Sequence, residues 1–193
     1  MRGAPRLPPA DFASRKLPLV QAGGVFYRCG IASRPLLDWD ARADSRFSAP
    51  DLPFPVLYLA SRKLTGFWEC FGDELNDRPQ DEKRLSERTL GMRRWVRFNI
   101  KPPLRVLDLT DADVLCAGYE VTQCWAKELM LHPASSDGLR YRSRLDNDQD
   151  CLAVFGRPQL RRALQRFGPV KESALLRDTE FLSFLAERDI ALL

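Results

Sequence analysis

The sequence predicts a single compact α+β domain in which helices flank a mixed β-sheet. At roughly 150 residues per domain, a chain of 193 residues corresponds to one domain. Its residues are 45% hydrophobic and 10% aromatic, which supplies a core and excludes wholesale disorder. Strand-like and helix-like segments follow one another irregularly, and this order favours an α+β fold over a regular doubly wound sheet.

The N-terminal part is predicted to be an extended lead-in that ends where the first strand begins. The prolines that discourage helix there are Pro5, Pro8, Pro9 and Pro18. Residues 25–31 combine β-branched and aromatic side chains directly after Gly23 and Gly24, so we expect a strand. We therefore divide the chain into a lead-in, residues 1–24, and a domain, residues 25–193.

The next segments predict a loop, a central strand and two helices. Residues 35–55 hold four prolines and read as a long loop, a feature that usually carries function in a compact domain. Residues 56–60 are apolar on both faces, as in a central strand. Ser61 is a candidate cap for a helix over 62–75, and the charged residues 79–92 suggest a second, exposed helix. The apolar stripe of the first helix is Leu64, Trp68, Phe71 and Leu75.

The second half of the chain alternates between short strands and helices. The strands are predicted at 95–100, 105–109, 139–143 and 151–155, with residues 101–104 joining the first two. The helices are predicted at 119–131, 158–167 and 179–188. Asp178 is the expected N-cap of the last helix.

Composition excludes several classes of function. The 30 basic and 26 acidic side chains leave a net charge of +4, too small to indicate a nucleic-acid-binding protein. The five cysteines lack the close spacing of a zinc site, so no metal is expected, and free thiols fit a cytoplasmic protein. No apolar run is long enough to span a membrane. With His132 as the single histidine, and no glycine-rich phosphate loop, any catalysis must use carboxylate, arginine and hydroxyl groups.

Glu69 is the most informative carboxylate. Its neighbours one helical turn away are Thr65, Gly66, Gly72 and Asp73, and three of the four are small. One interpretation is close packing of the helix against a backbone, with Glu69 simply solvated. The other is a carboxylate that is kept accessible to a ligand.

Arginines form the second group of candidates, and they outnumber lysines by 24 to 6. Arg28 lies on the apolar face of its strand and, if buried, needs an anion or carbonyl oxygens. It could form a structural ion pair, with Asp108 as one partner, or it could bind a phosphate. An edge strand with a solvated basic face accounts for the alternating arginines at Arg140, Arg142 and Arg144.

The order of these pieces resembles the RES domain family. The pieces are, in chain order, Tyr27 and Arg28, then 45–47, then 56–60, then Glu69, then 138–143. The resemblance is strongest over residues 25–156. It implies a fold similar to ADP-ribosyltransferase catalytic cores and NAD+ as the substrate, consumed by cleavage of the nicotinamide–ribose bond. Many members of that family are bacterial toxins, held inactive by an antitoxin with a helix-turn-helix domain, so such a partner is also implied.

The resemblance also implies roles for five residues. Arg28 and Arg46 match the two arginines of the family and would bind pyrophosphate or ribose. Tyr58 would stack on nicotinamide or ribose, and Glu69 would contact the ribose hydroxyls and the developing cation. Ser143 would bond the substrate or hold Glu69 in place. The acceptor of the ribose stays open between water, phosphate and a protein side chain, and the alternative function is a module that binds NAD+, ADP-ribose or a nucleotide without turnover.

Overall fold

A computed structural model describes residues 7–39, 45–49, 51, 54–110, 118–146, 148–166 and 169–193. The strands in these ranges are β1 Leu19–Ile31, β2 Val56–Ala60, β3 Arg84–Leu85, β4 Arg93–Asp108, β5 Gly138–Arg142, β6 Asp150–Phe155, β7 Val170–Ala174 and β8 Ala191–Leu192. The α-helices are α1 Lys63–Asn76, α2 Glu87–Gly91, α3 Tyr119–Leu131, α4 Pro158–Arg166 and α5 Thr179–Glu187.

Six strands form a mixed sheet in the order β1-β2-β6-β5-β4-β7, and β1 also pairs with β4. The long β1–β4 ladder is antiparallel, whereas β4 and β5 run parallel. Because β1 contacts both β2 and β4, the pairings among β1, β2, β6, β5 and β4 close into a ring. The predicted class, an α+β domain with a mixed sheet flanked by helices, is confirmed.

Two predicted boundaries in the sheet are wrong, for one shared reason. β1 begins at Leu19 rather than at residue 25, and β4 is continuous where two strands were predicted. The ladder between them shifts its register between Ala22 and Gly24, opposite the prolines of β4. A Cβ on Gly23 would lie 3.1 Å from Pro103, so glycine permits this close approach. The bulge accommodates prolines that cannot donate to a ladder, and the strands continue through it.

Helix α1 is close to its predicted span, but its cap and its buried face differ from the prediction. Arg62, not Ser61, occupies the N-cap position, and no side chain caps it. The hydroxyl of Ser61 instead donates to Gln149 Oε1 at 3.2 Å. Phe67 is fully buried against α5, whereas Leu64 and Trp68 are only partly buried.

The charged segment 79–92 is not one helix. It contains a 3-10 turn, strand β3 and the short helix α2. β3 pairs with β8 at the C-terminal end of the chain, a partner about a hundred residues away that local sequence does not indicate. β5 is also not an edge strand, because it pairs with β4 on one side and β6 on the other.

Three buried apolar clusters hold the helices against the sheet. Helices α1 and α5 share one cluster, α3 packs on a second, and α4 packs on a third. The N-cap of α5 is the predicted one: Asp178 accepts a hydrogen bond from the backbone of Phe181 at 3.2 Å. Asp178 also pairs with Lys63 at 2.9 Å, which ties α5 to the start of α1.

Candidate active site

A cavity of about 400 Å³ opens between β1, β2, α1 and the segment around Arg46. Its size falls within the range of small-molecule sites. Four of the five site residues predicted from the sequence line it: Arg28, Arg46, Tyr58 and Glu69. The fifth, Ser143, lies directly behind the wall, where it contacts Glu69.

Glu69 is held through both of its carboxylate oxygens. Ser143 Oγ donates to Oε1 at 2.6 Å, and the hydroxyl of Tyr141 donates to Oε2 at 3.1 Å. Both donors are buried, at 1% and 2% exposure, while Glu69 itself is exposed toward the cavity. Ser143 Oγ also accepts the backbone N–H groups of Leu145 and Asp146, at 3.2 Å each. The carboxylate is thus fixed in orientation with one side open.

Tyr141 was not among the residues predicted for the site. Burial raises its pKa well above the usual value of 10, and the negative charge of Glu69 adds to the increase. The hydroxyl therefore stays protonated and donates to Glu69 throughout the neutral range. Because side chains alternate along a strand, Tyr141 shares a face with Ser143, so the sequence contained a signal that could have identified it.

Arg28 reaches the cavity from β1 and is anchored by Asp38. Its Nη1 donates to the carbonyl oxygen of Asp38, and its Nη2 lies 3.9 Å from the carboxylate of the same residue. Arg34 binds that carboxylate at 3.1 Å. The expected ion pair with Asp108 is wrong, because the Asp108 carboxylate lies 3.6 Å from Arg140 instead.

Tyr58 connects β2 to the segment that carries Arg46. Its hydroxyl accepts from the backbone N–H of Phe47 and donates to Ser45 Oγ, both at 3.0 Å. Its ring stacks on Phe47 with the ring centres 6.4 Å apart. Tyr58 therefore lines the cavity and also holds the backbone on both sides of Arg46.

Arg46 shares the cavity with further charged groups. Burial lowers its pKa, the charge of Arg144 lowers it further, and Tyr141 and Glu69 act in the opposite direction. Arg144 is itself held by Asp73, whose two carboxylate oxygens lie 3.0 and 3.1 Å from Arg144 Nη2.

Positive charge dominates the cavity. Its lining contains five arginines and three carboxylates, namely Arg28, Arg34, Arg46, Arg93 and Arg144 against Asp38, Glu69 and Asp73. Such a wall attracts anions, and guanidinium groups match the geometry of phosphate. Of these three carboxylates, Glu69 is the one that is oriented into the cavity by hydroxyl groups, those of Tyr141 in β5 and of Ser143 just after β5.

The single histidine does not line this cavity, and neither a metal site nor a membrane-spanning helix is found in the part of the chain that the structure describes. His132 caps the C-terminus of α3, where its Nε2 contacts the carbonyl oxygen of Phe12 at 3.1 Å. Among the described residues, no group of three or more His, Cys, Asp or Glu side chains is arranged to hold a metal ion. None of the described helices has the length and apolarity needed to cross a lipid bilayer.

Comparison with known proteins gives the family of the chain. The family model of the RES domain matches residues 25–175. No curated protein matches the sequence. The structure is similar to a chain in the crystal structure of the M. tuberculosis MbcT–MbcA toxin–antitoxin complex, with a TM-score of 0.55 and 17% identity, covering 80% of this chain and 84% of that one. The match of the family model over most of the chain shows that this protein belongs to the RES domain family.

Proposed function

We propose that this protein consumes NAD+ by breaking the bond between nicotinamide and ribose. The observation that carries the proposal is Glu69, which Tyr141 and Ser143 orient into a cavity that Arg28 and Arg46 also line. A carboxylate that hydroxyl groups orient among arginines suits a substrate that carries both a diphosphate and a reactive sugar. The catalytic domain in this proposal comprises residues 25–193, with residues 1–24 as a lead-in.

The arginines supply the binding of the diphosphate. NAD+ carries two phosphate groups, and each guanidinium can donate two parallel hydrogen bonds to one of them. Asp38 already holds Arg28 through its carbonyl oxygen and carboxylate, which reduces the freedom that Arg28 would lose on binding. Tyr58 fixes the segment of Arg46 and offers its ring to the nicotinamide or the ribose.

Glu69 supplies the chemistry at the sugar. As nicotinamide leaves, positive charge develops on the ribose, and a fixed carboxylate stabilises that charge. The leaving group departs as a neutral molecule from a cationic pyridinium, so the bond breaks without a general acid. This fits a cavity in which the titratable groups are carboxylates, arginines, tyrosines and cysteines, among the residues that the structure describes.

The acceptor of the ribose is water or inorganic phosphate in this proposal, and a protein side chain is the third candidate. The surplus of arginines favours a site that also admits inorganic phosphate. Water would give hydrolysis to ADP-ribose, whereas phosphate would give a phosphorylated ADP-ribose.

The structural likeness to a chain of a toxin–antitoxin complex supports a cellular role as the toxin of such a pair. The antitoxin in this proposal carries a helix-turn-helix domain, and both proteins act in the cytoplasm. Expression of the chain should then arrest growth of the host, and the product of a neighbouring gene should relieve the arrest. If the Glu69→Gln variant arrests growth as strongly as the wild type does, this role is contradicted.

The enzymatic proposal is tested by following free nicotinamide. Purified protein is incubated with NAD+, with and without phosphate, and the products are separated by chromatography. Glu69→Gln should abolish release, because the amide has no charge to stabilise the ribose cation. Glu74→Gln is the matched control, since Glu74 lies on the same helix, is exposed and pairs with Arg78. Tight binding of NAD+ without release would favour the binding module instead.

Arg28 is tested by binding rather than turnover. Loss of one charge-assisted pair costs about 1.5–3 kcal/mol, or roughly tenfold or more in affinity. Arg28→Gln should therefore weaken NAD+ binding at least tenfold in calorimetry, whereas the exposed Arg105→Gln should not change it. An unchanged affinity in Arg28→Gln would remove Arg28 from the site.

A further inference from the structure

Two cysteines meet at the wall of the cavity, where helix α1 packs against strand β1. The helix lies close to the strand at Gly66, where a Cβ would be in van der Waals contact with the backbone nitrogen of Cys29 at 3.6 Å. Cys70 follows Gly66 by one helical turn and faces the same part of β1. Its thiol donates to the carbonyl oxygen of Cys29, with Sγ 3.7 Å from that oxygen, so the two cysteines are neighbours across the contact between α1 and β1.

The two thiols differ in exposure. Cys70 is exposed, while Cys29 is buried at 2% exposure directly behind it. Both are free, and both line the cavity together with Arg28 and Arg93. An accessible cysteine with a second cysteine directly beside it is the arrangement in which an oxidised cysteine is resolved as a disulfide.

The charges around the pair also differ between the two sulfurs. The interaction with the neighbouring Cys29 lowers the pKa of Cys70 to about 7, and the charges of Arg93 and Arg28 act in the same direction, against partial desolvation in the cavity wall and the carboxylate of Glu69. The same interaction between the two cysteines, together with burial, raises the pKa of Cys29 well above its usual value. Near neutral pH, Cys70 is therefore the nucleophile and Cys29 keeps its proton.

We propose that Cys29 and Cys70 form an oxidisable pair in the wall of this cavity, which hydrogen peroxide converts to a disulfide. The Cys70 thiolate attacks one oxygen of the peroxide, so that an S–O bond forms, the O–O bond breaks and hydroxide leaves. Cys29 then attacks the sulfenic acid of Cys70, the S–S bond forms and water leaves with the remaining oxygen. Two thiols lose two electrons and two protons, and one peroxide becomes two waters.

The pair lies beside the groups that carry the proposed function. Cys29 follows Arg28 in β1, and Cys70 follows Glu69 in α1. A covalent S–S bond is shorter than a contact between two sulfurs, so closing it draws α1 toward β1 and changes the spacing of Glu69 and Arg28. On the proposed function, the oxidised protein should bind NAD+ at least tenfold more weakly, and dithiothreitol should restore binding.

The modification itself is tested without NAD+. The reduced full chain is titrated with hydrogen peroxide, blocked with N-ethylmaleimide under denaturing conditions, and analysed by intact mass and peptide mapping. We expect the loss of two hydrogens and a linked pair of peptides that contain Cys29 and Cys70. Because this readout involves no substrate, its failure and the failure of the proposed function are distinguishable.

Three single variants test which cysteines form the disulfide. Cys29→Ser should stop the reaction at a Cys70 sulfenic acid that dimedone traps, and Cys70→Ser should abolish the disulfide. Cys124→Ser, a change at an exposed cysteine on α3, should leave the disulfide unaffected. If the buried Cys29→Ser fails to fold, Cys70→Ser still tests the pair. A disulfide between other cysteines, or the accumulation of sulfinic acid on Cys70 in the wild type, would overturn the proposal.

Discussion

Replacing Ser143 by alanine removes the hydroxyl that fixes Oε1 of Glu69 and receives two backbone N–H groups. A hydrogen bond to a charged group contributes about 1.5–3 kcal/mol, and solvent on the open side of Glu69 places this one near 1.5 kcal/mol. The unpaired N–H groups of Leu145 and Asp146 add about 1 kcal/mol. We expect Ser143→Ala to lower the free energy of unfolding by about 2.5 kcal/mol.

A double-mutant cycle with Glu69→Ala separates these two contributions. Glu69→Ala removes the bond to Ser143 but leaves the backbone N–H groups paired, so the coupling between the two changes should be about 1.5 kcal/mol. The four proteins are compared by urea denaturation. Ser143→Ala should also lower the melting temperature by about 5–10 °C, at about 2–4 °C per kcal/mol for a chain of this size.

The coupling energy between the two changes tests whether Ser143 holds Glu69 in solution. If the two changes add to within about 0.5 kcal/mol, then Ser143 does not hold Glu69 in solution. In that case the loss of stability in Ser143→Ala comes from the backbone of the following turn, and only the hydroxyl of Tyr141 holds Glu69.

Three further predictions concern the surroundings of the site and the fold. The pKa of Tyr141 is raised in the folded chain, so the stability that its protonated hydroxyl contributes is present below pH 10 and is lost as the pH rises beyond it. Between about pH 9 and 11, the wild type should therefore lose resistance to urea more steeply than Tyr141→Phe, and parallel curves would contradict this. Asp178→Ala should lower the free energy of unfolding by about 2 kcal/mol, because it removes both a helix cap and an ion pair with Lys63. Asp178→Asn should cost about half of that, because asparagine also caps a helix, and equal losses in the two variants would show that the cap contributes nothing. Gly138→Ala should lower the free energy of unfolding by about 3 kcal/mol or abolish folding, because the new Cβ would lie 2.1 Å from the carbonyl oxygen of Ala153 at a φ of +159°. The control Gly91→Ala should be tolerated, and a stable Gly138→Ala protein would refute the predicted clash.

Elements whose signals are local were predicted close to their observed bounds. Helix α3 and strand β2 have the predicted spans, because periodicity and apolar runs within each segment identify them. The cap of α5 was predicted from a single aspartate. The fold class and the family followed from the order of such segments along the chain.

Elements whose signals come from distant residues were predicted poorly. Among the described strands, the short strands β3 and β8 pair only with each other, and β7 pairs only with β4. Prolines that read as breaks within β4 occupy a bulge opposite Gly23, and this bulge depends on a glycine far away in sequence. Propensity within a segment carries no information about such partners.

The candidate site shows the same division. The sequence by itself determined which residue types are present, that Glu69 lies on a helix between small neighbours, and that two arginines precede it and a serine follows it. Only the tertiary structure decided that Asp38 rather than Asp108 anchors Arg28 and that Tyr141 joins Ser143 on Glu69. It also decided that the thiol of Cys70 lies against the backbone of Cys29 beside them. The physical reason is that hydrogen bonds and ion pairs act over a few ångströms, and the residues that come within that distance are chosen by sheet pairing and helix packing across the whole chain.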